Sequence, residues 1–299
     1  MERDTTEIAI LSGKGGTGKT SITAAFAAMA KDIVLADCDV DAADLHLILQ
    51  PVILYEESYA SGVKAVINPD QCTGCGLCMD LCRFDAVERI NGQYAIDKFA
   101  CEGCGLCIMV CPENAIKSTL YQNNRLYFSQ CRFGPLIYGK VGIAEENSGR
   151  LVARIREEAK KKAREVQANV ILVDGPPGIG CPAISSVTGS DAVIAVTEPT
   201  KSGWHDLLRL IEMIKRFHSR IYVIVNKYDL NKKITKEIEE GLKERKIPVI
   251  GQIPYDEQVI HALIAGKSIP EYRKELSINH NLRTIWNKLL KKIVPVKLN

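Results

Sequence analysis

The chain has 299 residues, 46% of them hydrophobic, enough for a core of ordinary size plus a small second module. Lysine and arginine number 39 against 36 aspartates and glutamates, and a net charge of +3 is too small to argue for a nucleic-acid partner. No secretory leader and no apolar run of spanning length is read, so the eleven cysteines point to a reducing cytoplasm, with no disulfides expected.

The first predicted element is a buried strand, Ile8 to Leu11. Gly13-Lys14-Gly15-Gly16-Thr17-Gly18-Lys19-Thr20 follows it, and an alanine-rich helix runs from Ser21 to Ala30. A G-x4-G-K-T run between a strand and a helix is a P-loop. Its glycines let backbone N–H groups close on phosphate oxygens at a helix N-terminus, where the dipole also favours anions. Lys19 is expected to bridge the β- and γ-phosphates and Thr20 to hold Mg2+. A second strand over 33–37 ends in Asp37-Cys38-Asp39-Val40-Asp41, at the carboxyl end of a strand, where ligands bind in such sheets. Asp41 and Asp44 read equally well as carboxylates at a helix N-terminus.

Residues 72–111 carry C-x2-C-x2-C-x3-C twice, 29 residues apart: Cys72, Cys75, Cys78, Cys82 and then Cys101, Cys104, Cys107, Cys111. Three thiolates at this spacing can take three corners of a 4Fe-4S cube, while the fourth cysteine reaches the other cluster. The predicted ligand sets are therefore crossed, Cys72, Cys75, Cys78 and Cys111 for one and Cys101, Cys104, Cys107 and Cys82 for the other. Zinc wants two C-x2-C pairs separated by a longer stretch, which the triple spacing does not suit. Gly76-Leu77-Cys78 and Gly105-Leu106-Cys107 mark a duplicated unit with approximate two-fold symmetry. The module resembles a bacterial-type ferredoxin, with one departure: Pro112 follows Cys111, but Arg83 follows Cys82, which bears on that cluster's surroundings.

Further on, a charged helix over 154–165 carries the basic cluster Lys160 to Arg164, read as a solvated face. A buried strand over 169–174 closes in Asp174-Gly175-Pro176-Pro177-Gly178, and further strands are predicted over 192–196, 221–225 and 248–253. Asn226-Lys227-Tyr228-Asp229 contains the N-K-x-D pattern associated with guanine. Leu282, Ile285, Trp286, Leu289, Leu290 and Ile293 recur at helical spacing opposite Arg283, Lys288, Lys291 and Lys292. The strands and helices give an α/β fold with a mostly parallel sheet covered on both faces, in two parts, 1–62 and 120–299, around an insert over 63–119.

Lys14 narrows the class. Lys-Gly-Gly-Thr-Gly-Lys-Thr resembles the deviant P-loop of the MinD/Mrp and nitrogenase iron protein families, and the chain as a whole resembles MinD-superfamily P-loop ATPases carrying an inserted ferredoxin domain. The resemblance implies a homodimer formed on ATP binding, in which Lys14 crosses to the partner's phosphates. It implies that Asp39 orients the attacking water, that Asp37 lies near the Mg2+ waters, and that Asp174 is an outer-sphere Mg2+ ligand. Gly178 would present its N–H to the γ-phosphate. Asn226, Lys227 and Pro254 would hold the base, adenine being favoured over guanine. The stretches over 145–149 and 197–203 match the group without individual roles. Cys181 stands seven residues after Asp174, where the nitrogenase iron protein places a ligand for a cluster shared between subunits, with Cys131 as a candidate second ligand. The competing reading of these cysteines, and of Cys38, is packing as small hydrophobes. MinD uses a basic amphipathic tail on membranes; here the same pattern reads as the last helix packing on the sheet. The function expected is ATP-driven dimer rearrangement coupled to electron transfer through two 4Fe-4S clusters to a redox or iron-sulfur partner. An Mrp-type cluster carrier and a MinD-like positioning ATPase are the alternatives.

Overall fold

The computed structural model describes residues 5–60, 62–142 and 148–293. In chain order its strands are β1 (Thr6–Ser12), β2 (Ile33–Asp37), β3 (Val52–Tyr59), β4 (Gly62–Ile67), β5 (Val87–Ile90), β6 (Gln93–Ile96), β7 (Ile116–Tyr121), β8 (Asn124–Cys131), β9 (Gly134–Lys140), β10 (Val170–Pro177), β11 (Ala192–Thr197), β12 (Arg220–Asn226) and β13 (Val249–Ile253). Nine form one sheet in the order β13-β12-β11-β1-β10-β2-β9-β8-β3. From β13 to β9 every neighbouring pair is parallel, and β8 and β3 then add on antiparallel. All seven residues of β1 are buried, because helices cover both faces of a parallel sheet and leave no polar side to alternate with.

Ile8, Ile10 and Leu172 face one helical layer, while Ala9, Leu11 and Val173 face the other. The first layer contains the helices Lys19–Met29 and Ser277–Ile293, joined where Phe26 and Trp286 lie 5.1 Å apart. Leu282, Ile285, Trp286, Leu289 and Ile293 are all buried in that core. The C-terminal apolar stripe is therefore taken up by packing, as the sheet-packing reading expects. No helix among the described residues is long and apolar enough to cross a membrane. In the second layer the helix Ser148–Glu165 starts six residues before the predicted 154, and residues 145–147 lie outside the described ones. Its Arg156 forms a buried pair with Glu7 at 2.7 Å, and Lys160 joins that carboxylate at 2.9 Å, so one member of the basic cluster is tied to β1.

Strands β3, β8 and β9 are not read from the sequence. β3 is the outer edge of the sheet, and Val52 to Tyr55 are 50–69% exposed, so neither burial nor alternation marks it. The β3–β8 ladder ends at Tyr59↔Asn124, and the β4–β7 ladder begins at Gly62↔Tyr121. The cysteine-bearing segment thus leaves from, and returns to, the edge hairpin of the main sheet.

Within that segment the 29-residue repeat is visible in the backbone. Gly74 and Gly103 have φ of +75° and +64°, Gly76 and Gly105 +84° and +78°, Asp85 and Asn114 +50° and +52°. The Asn68 N–H donates to the Ala115 carbonyl at 2.7 Å, and its counterpart, the Asp97 N–H, donates to Ala86 at 2.8 Å. β4 pairs with β7 and β5 with β6, so each half supplies one strand to each ladder.

Candidate nucleotide site and cysteine cages

The P-loop lies between β1 and the helix Lys19–Met29, at the carboxyl ends of the parallel strands. Gly16 and Gly18 take left-handed φ of +75° and +91°, a region L side chains rarely adopt. At Gly13 a Cβ would come within 2.6 Å of the Asp206 backbone, so the loop closes there only on glycine. The Asn226 Nδ2 donates to the Thr17 carbonyl at 2.8 Å, and the Lys227 Nζ donates to the Gly16 carbonyl at 3.2 Å. These two residues, read from sequence as base ligands, also brace the phosphate loop from the end of β12. With Pro254, Gly18 and Ser21 they line a cavity of about 260 Å3. It adjoins a larger one of about 810 Å3 walled by Gly15, Lys19, Thr20, Asp39 and Pro177.

Lys19 is buried, its Nζ 3.9 Å from the Asp39 carboxylate. Asp37 is fully buried, and its two oxygens accept from the backbone N–H groups of Asp39 (3.2 Å) and Leu45 (3.1 Å). It therefore fixes the loop after β2 and the start of the helix Leu45–Leu49. Burial, reinforced by the neighbouring Asp174, holds its pKa well above the carboxylate range. Asp174 is raised as well, chiefly by burial, with Lys19 and the hydroxyls of Thr20 and Thr23 acting the other way. The Thr23 hydroxyl donates to Asp174 Oδ1 at 2.9 Å, and Oδ2 is buried with no hydrogen-bond partner among the described residues. An orphaned carboxylate oxygen beside the Thr20 hydroxyl is the hard donor chemistry that Mg2+ and its waters take. Asp39 is raised to about 6 by burial, partly offset by Lys19. Asp41 and Asp44 are exposed on the rim of the larger cavity.

Two residues stand differently from their expected roles. The Gly178 N–H donates to the Ser12 carbonyl at 2.9 Å, so offering it to a phosphate requires that bond to be exchanged. Lys14 turns toward its own subunit, its Nζ 2.5 Å from the Glu198 carboxylate and 3.3 Å from the Ser202 hydroxyl. The second Glu198 oxygen lies 3.5 Å from the Lys227 Nζ. Burial disfavours the Glu198 carboxylate, but the two lysines prevail and lower its pKa. Glu198 carries no individual signal in the sequence, since nothing local marks a contact between residues 14 and 198.

The structure brings the crossed cysteine sets together. Cys82, Cys101, Cys104 and Cys107 line one cavity of about 300 Å3. Cys72, Cys75, Cys78 and Cys111 line another, narrower one of about 20 Å3. Burial, followed by the crowding of neighbouring cysteines, raises the pKa of the corresponding thiols Cys78 and Cys107. No group of three or more His, Cys, Asp or Glu among the described residues converges tightly enough for a single metal ion.

Of the remaining cysteines, Cys38 is fully buried and its thiol pKa is raised well above the usual value by burial, consistent with packing. Cys181 is exposed at the first turn of the helix Cys181–Val187, beyond the carboxyl end of β10. Cys131 is buried and pairs with Gly134, which packs on the Ile33 carbonyl at the amino end of β2. The two cysteines sit at opposite ends of the parallel sheet, a placement that favours the packing reading of Cys131 over its candidacy as a second ligand beside Cys181.

The model of the "CobQ/CobB/MinD/ParA nucleotide binding domain" matches residues 8–269. An uncharacterized protein of Methanocaldococcus jannaschii is 38% identical over 234 residues, covering 75% of this chain and 79% of its own length. The septum site-determining protein MinD of Bacillus subtilis is 22% identical over 97% of this chain and 91% of its own. Among solved structures, MinD of Pyrococcus horikoshii, complexed with Mg-ADP, aligns with a TM-score of 0.59 at 19% identity, covering 96% of this chain and 97% of that one. With a strand, P-loop and sheet-end aspartates in this arrangement, the chain belongs to the CobQ/CobB/MinD/ParA nucleotide-binding family.

Proposed function

We propose that the chain is an ATP-hydrolysing, ATP-dimerised member of this family whose inserted segment holds two 4Fe-4S clusters, and that nucleotide-driven rearrangement of the dimer gates electron transfer through them. The observation that carries the cluster part is the pair of cavities, each walled by four cysteines drawn crosswise from the two repeats. The donor set fits: four thiolates spread around a volume, on loops whose paired left-handed glycines turn the backbone around it, suit a cube better than a point ion. When bound, such clusters supply one-electron redox chemistry.

On the nucleotide side, Gly13 to Thr20 would cradle the phosphates, and Thr20 and Asp174 would hold Mg2+ through its waters. Asp39 accepts a proton or hydrogen bond from the attacking water, and Lys19 neutralises the transferred phosphoryl group. ATP is the favoured nucleotide. Asp229, which a guanine reader would aim at the base, instead accepts the Tyr255 N–H at 2.8 Å, and it does not line the cavity beside Asn226. Lys14 would leave Glu198 and reach the partner's phosphates.

A second reading, a MinD-like positioning ATPase with the clusters as structural supports, has the family comparisons in its favour, which bear on the ATPase part alone. The two separate in one experiment, oxidation of the dithionite-reduced chain by a viologen dye with ATP, with ADP and without nucleotide. Gating predicts a rate that changes several-fold with ATP and reverts in Lys14→Ala. Identical rates in all three states would leave the positioning reading standing.

A further inference from the structure

The two cages are built by equivalent repeats, yet their electrostatic surroundings are not equivalent. Lys64, on β4, is only 6% exposed, and its Nζ donates to the carbonyl of Cys101, a wall residue of the Cys82/Cys101/Cys104/Cys107 cage, at 2.6 Å. The residue 29 positions on, its counterpart in the other half, is Gln93, uncharged and exposed. The packing differs in step: a Cβ on Gly103 would meet the Val63 carbonyl of β4 at 2.1 Å, whereas one on the equivalent Gly74 would meet nothing within 4 Å among the described residues. The β4 backbone is thus pressed against Gly103 and not against its equivalent Gly74, and β4 carries a buried ammonium on the Gly103 side. The wall residues add to the imbalance. Arg83 and Glu102 line this cage, and Glu113 lines the other. At the positions equivalent to Arg83 and Glu113 the opposite halves have Pro112 and Phe84. Formal side-chain charge is then +1 around one cage (Lys64, Arg83, Glu102) and −1 around the other (Glu113). Exposed Arg83 and Glu113 are screened by solvent, and the buried Lys64 far less.

We propose that the Cys82/Cys101/Cys104/Cys107 cage is the electron-holding member of the pair, and that the Lys64 ammonium makes it so. The inference rests on the two-cluster reading above. An added electron increases the negative charge of a cage, and a cation fixed in a low-dielectric surrounding stabilises that charge. In a chain carrying one electron the redistribution is internal: the Cys72/Cys75/Cys78/Cys111 cage is oxidised by one electron, the other is reduced by one, and no outside reagent or proton is consumed. The ladder that carries Lys64 also connects to the main sheet, so the electron rests in the cage whose charge partner stands on that connection.

The test is a potentiometric titration of the anaerobically reconstituted full chain followed by electron paramagnetic resonance, on wild type, Lys64→Gln, Lys64→Arg and Glu113→Gln. Lys64→Gln installs the residue found at the symmetric position. It should move the higher-potential one-electron equilibrium at least tenfold toward the oxidised side, 59 mV for one electron, and leave the other within threefold. Lys64→Arg should restore the wild-type value. Exposed Glu113→Gln, which does not depend on Lys64 variants folding, should move only the lower-potential step, toward reduction. Clusters present with the higher-potential step unmoved in Lys64→Gln, or a Glu113→Gln variant that moves the higher-potential step instead of the lower, overturn this inference alone. A reconstituted wild type without iron overturns the cage reading and this inference with it.

Discussion

Replacing Glu198 with glutamine should tighten ATP-dependent dimerisation. In the isolated subunit the Glu198 carboxylate holds Lys14 at 2.5 Å, with side chains 17% and 32% exposed. A pair this accessible is worth about 1 kcal/mol at most. A sandwich dimer requires both copies of Lys14 to leave, so the resting contacts oppose association by about 2 kcal/mol, or about 30-fold in the equilibrium. Sedimentation velocity with saturating ATP, in an Asp39→Ala background that stalls hydrolysis, measures it. Glu198→Gln should lower the dimer dissociation constant by up to that factor, the gain shrinking at high salt. Adding Lys14→Ala should abolish the gain, since the cycle isolates the coupling between the two residues. An unchanged constant would mean that Lys14 does not leave Glu198 on association. A weaker dimer would mean that Glu198 acts across the interface instead.

Asp39, held near 6 by burial, has no free carboxylate for the attacking water when protonated. The kcat/KM for ATP, which reports groups of the free enzyme, should therefore rise as pH increases through about 6, and an Asp39→Asn variant with the same limb would remove that assignment. Asp229→Ala should leave the preference for ATP over GTP unchanged in competition binding, because that carboxylate holds the Tyr255 N–H; a gain or loss of GTP selectivity would place it at the base. Trp286→Ala should cost about 3–5 kcal/mol in denaturant unfolding, from lost burial and the cavity left beside Phe26. A cost below about 1 kcal/mol would mean that the last helix is not part of the core.

What the sequence displayed is what lies close together along the chain. The P-loop is eight consecutive residues, each cysteine repeat spans eleven, and the strands ending in Asp37 and Asp174 are continuous apolar runs of the kind a sheet covered on both faces requires. The features that sequence reading missed are long-range or sit at an edge. Strand β3 escapes because Val52 to Tyr55 are exposed, so no burial pattern marks them. The roles of Asn226 and Lys227 as braces for Thr17 and Gly16 span about two hundred residues and leave no local trace. Glu198 gripping Lys14 is equally invisible, and the opposite placement of Cys131 and Cys181 depends on β9 and β10 pairing around β2. The asymmetry of the cages, by contrast, was half legible: Arg83 in place of a proline signalled it, but Lys64 needed the fold to reach Cys101.

Whether the crossed cysteine sets hold two clusters is tested most simply by iron and acid-labile sulfide per chain in the anaerobically reconstituted protein, alongside Cys181→Ala and a variant lacking Cys75 and Cys104. Wild type should hold about eight irons and eight sulfides. Cys181→Ala should match it, because Cys131 lies at the other end of the sheet, and the Cys75, Cys104 double variant should lose most of both. One or two zinc ions per chain without sulfide, or undiminished iron in the double variant, would contradict the two-cluster reading.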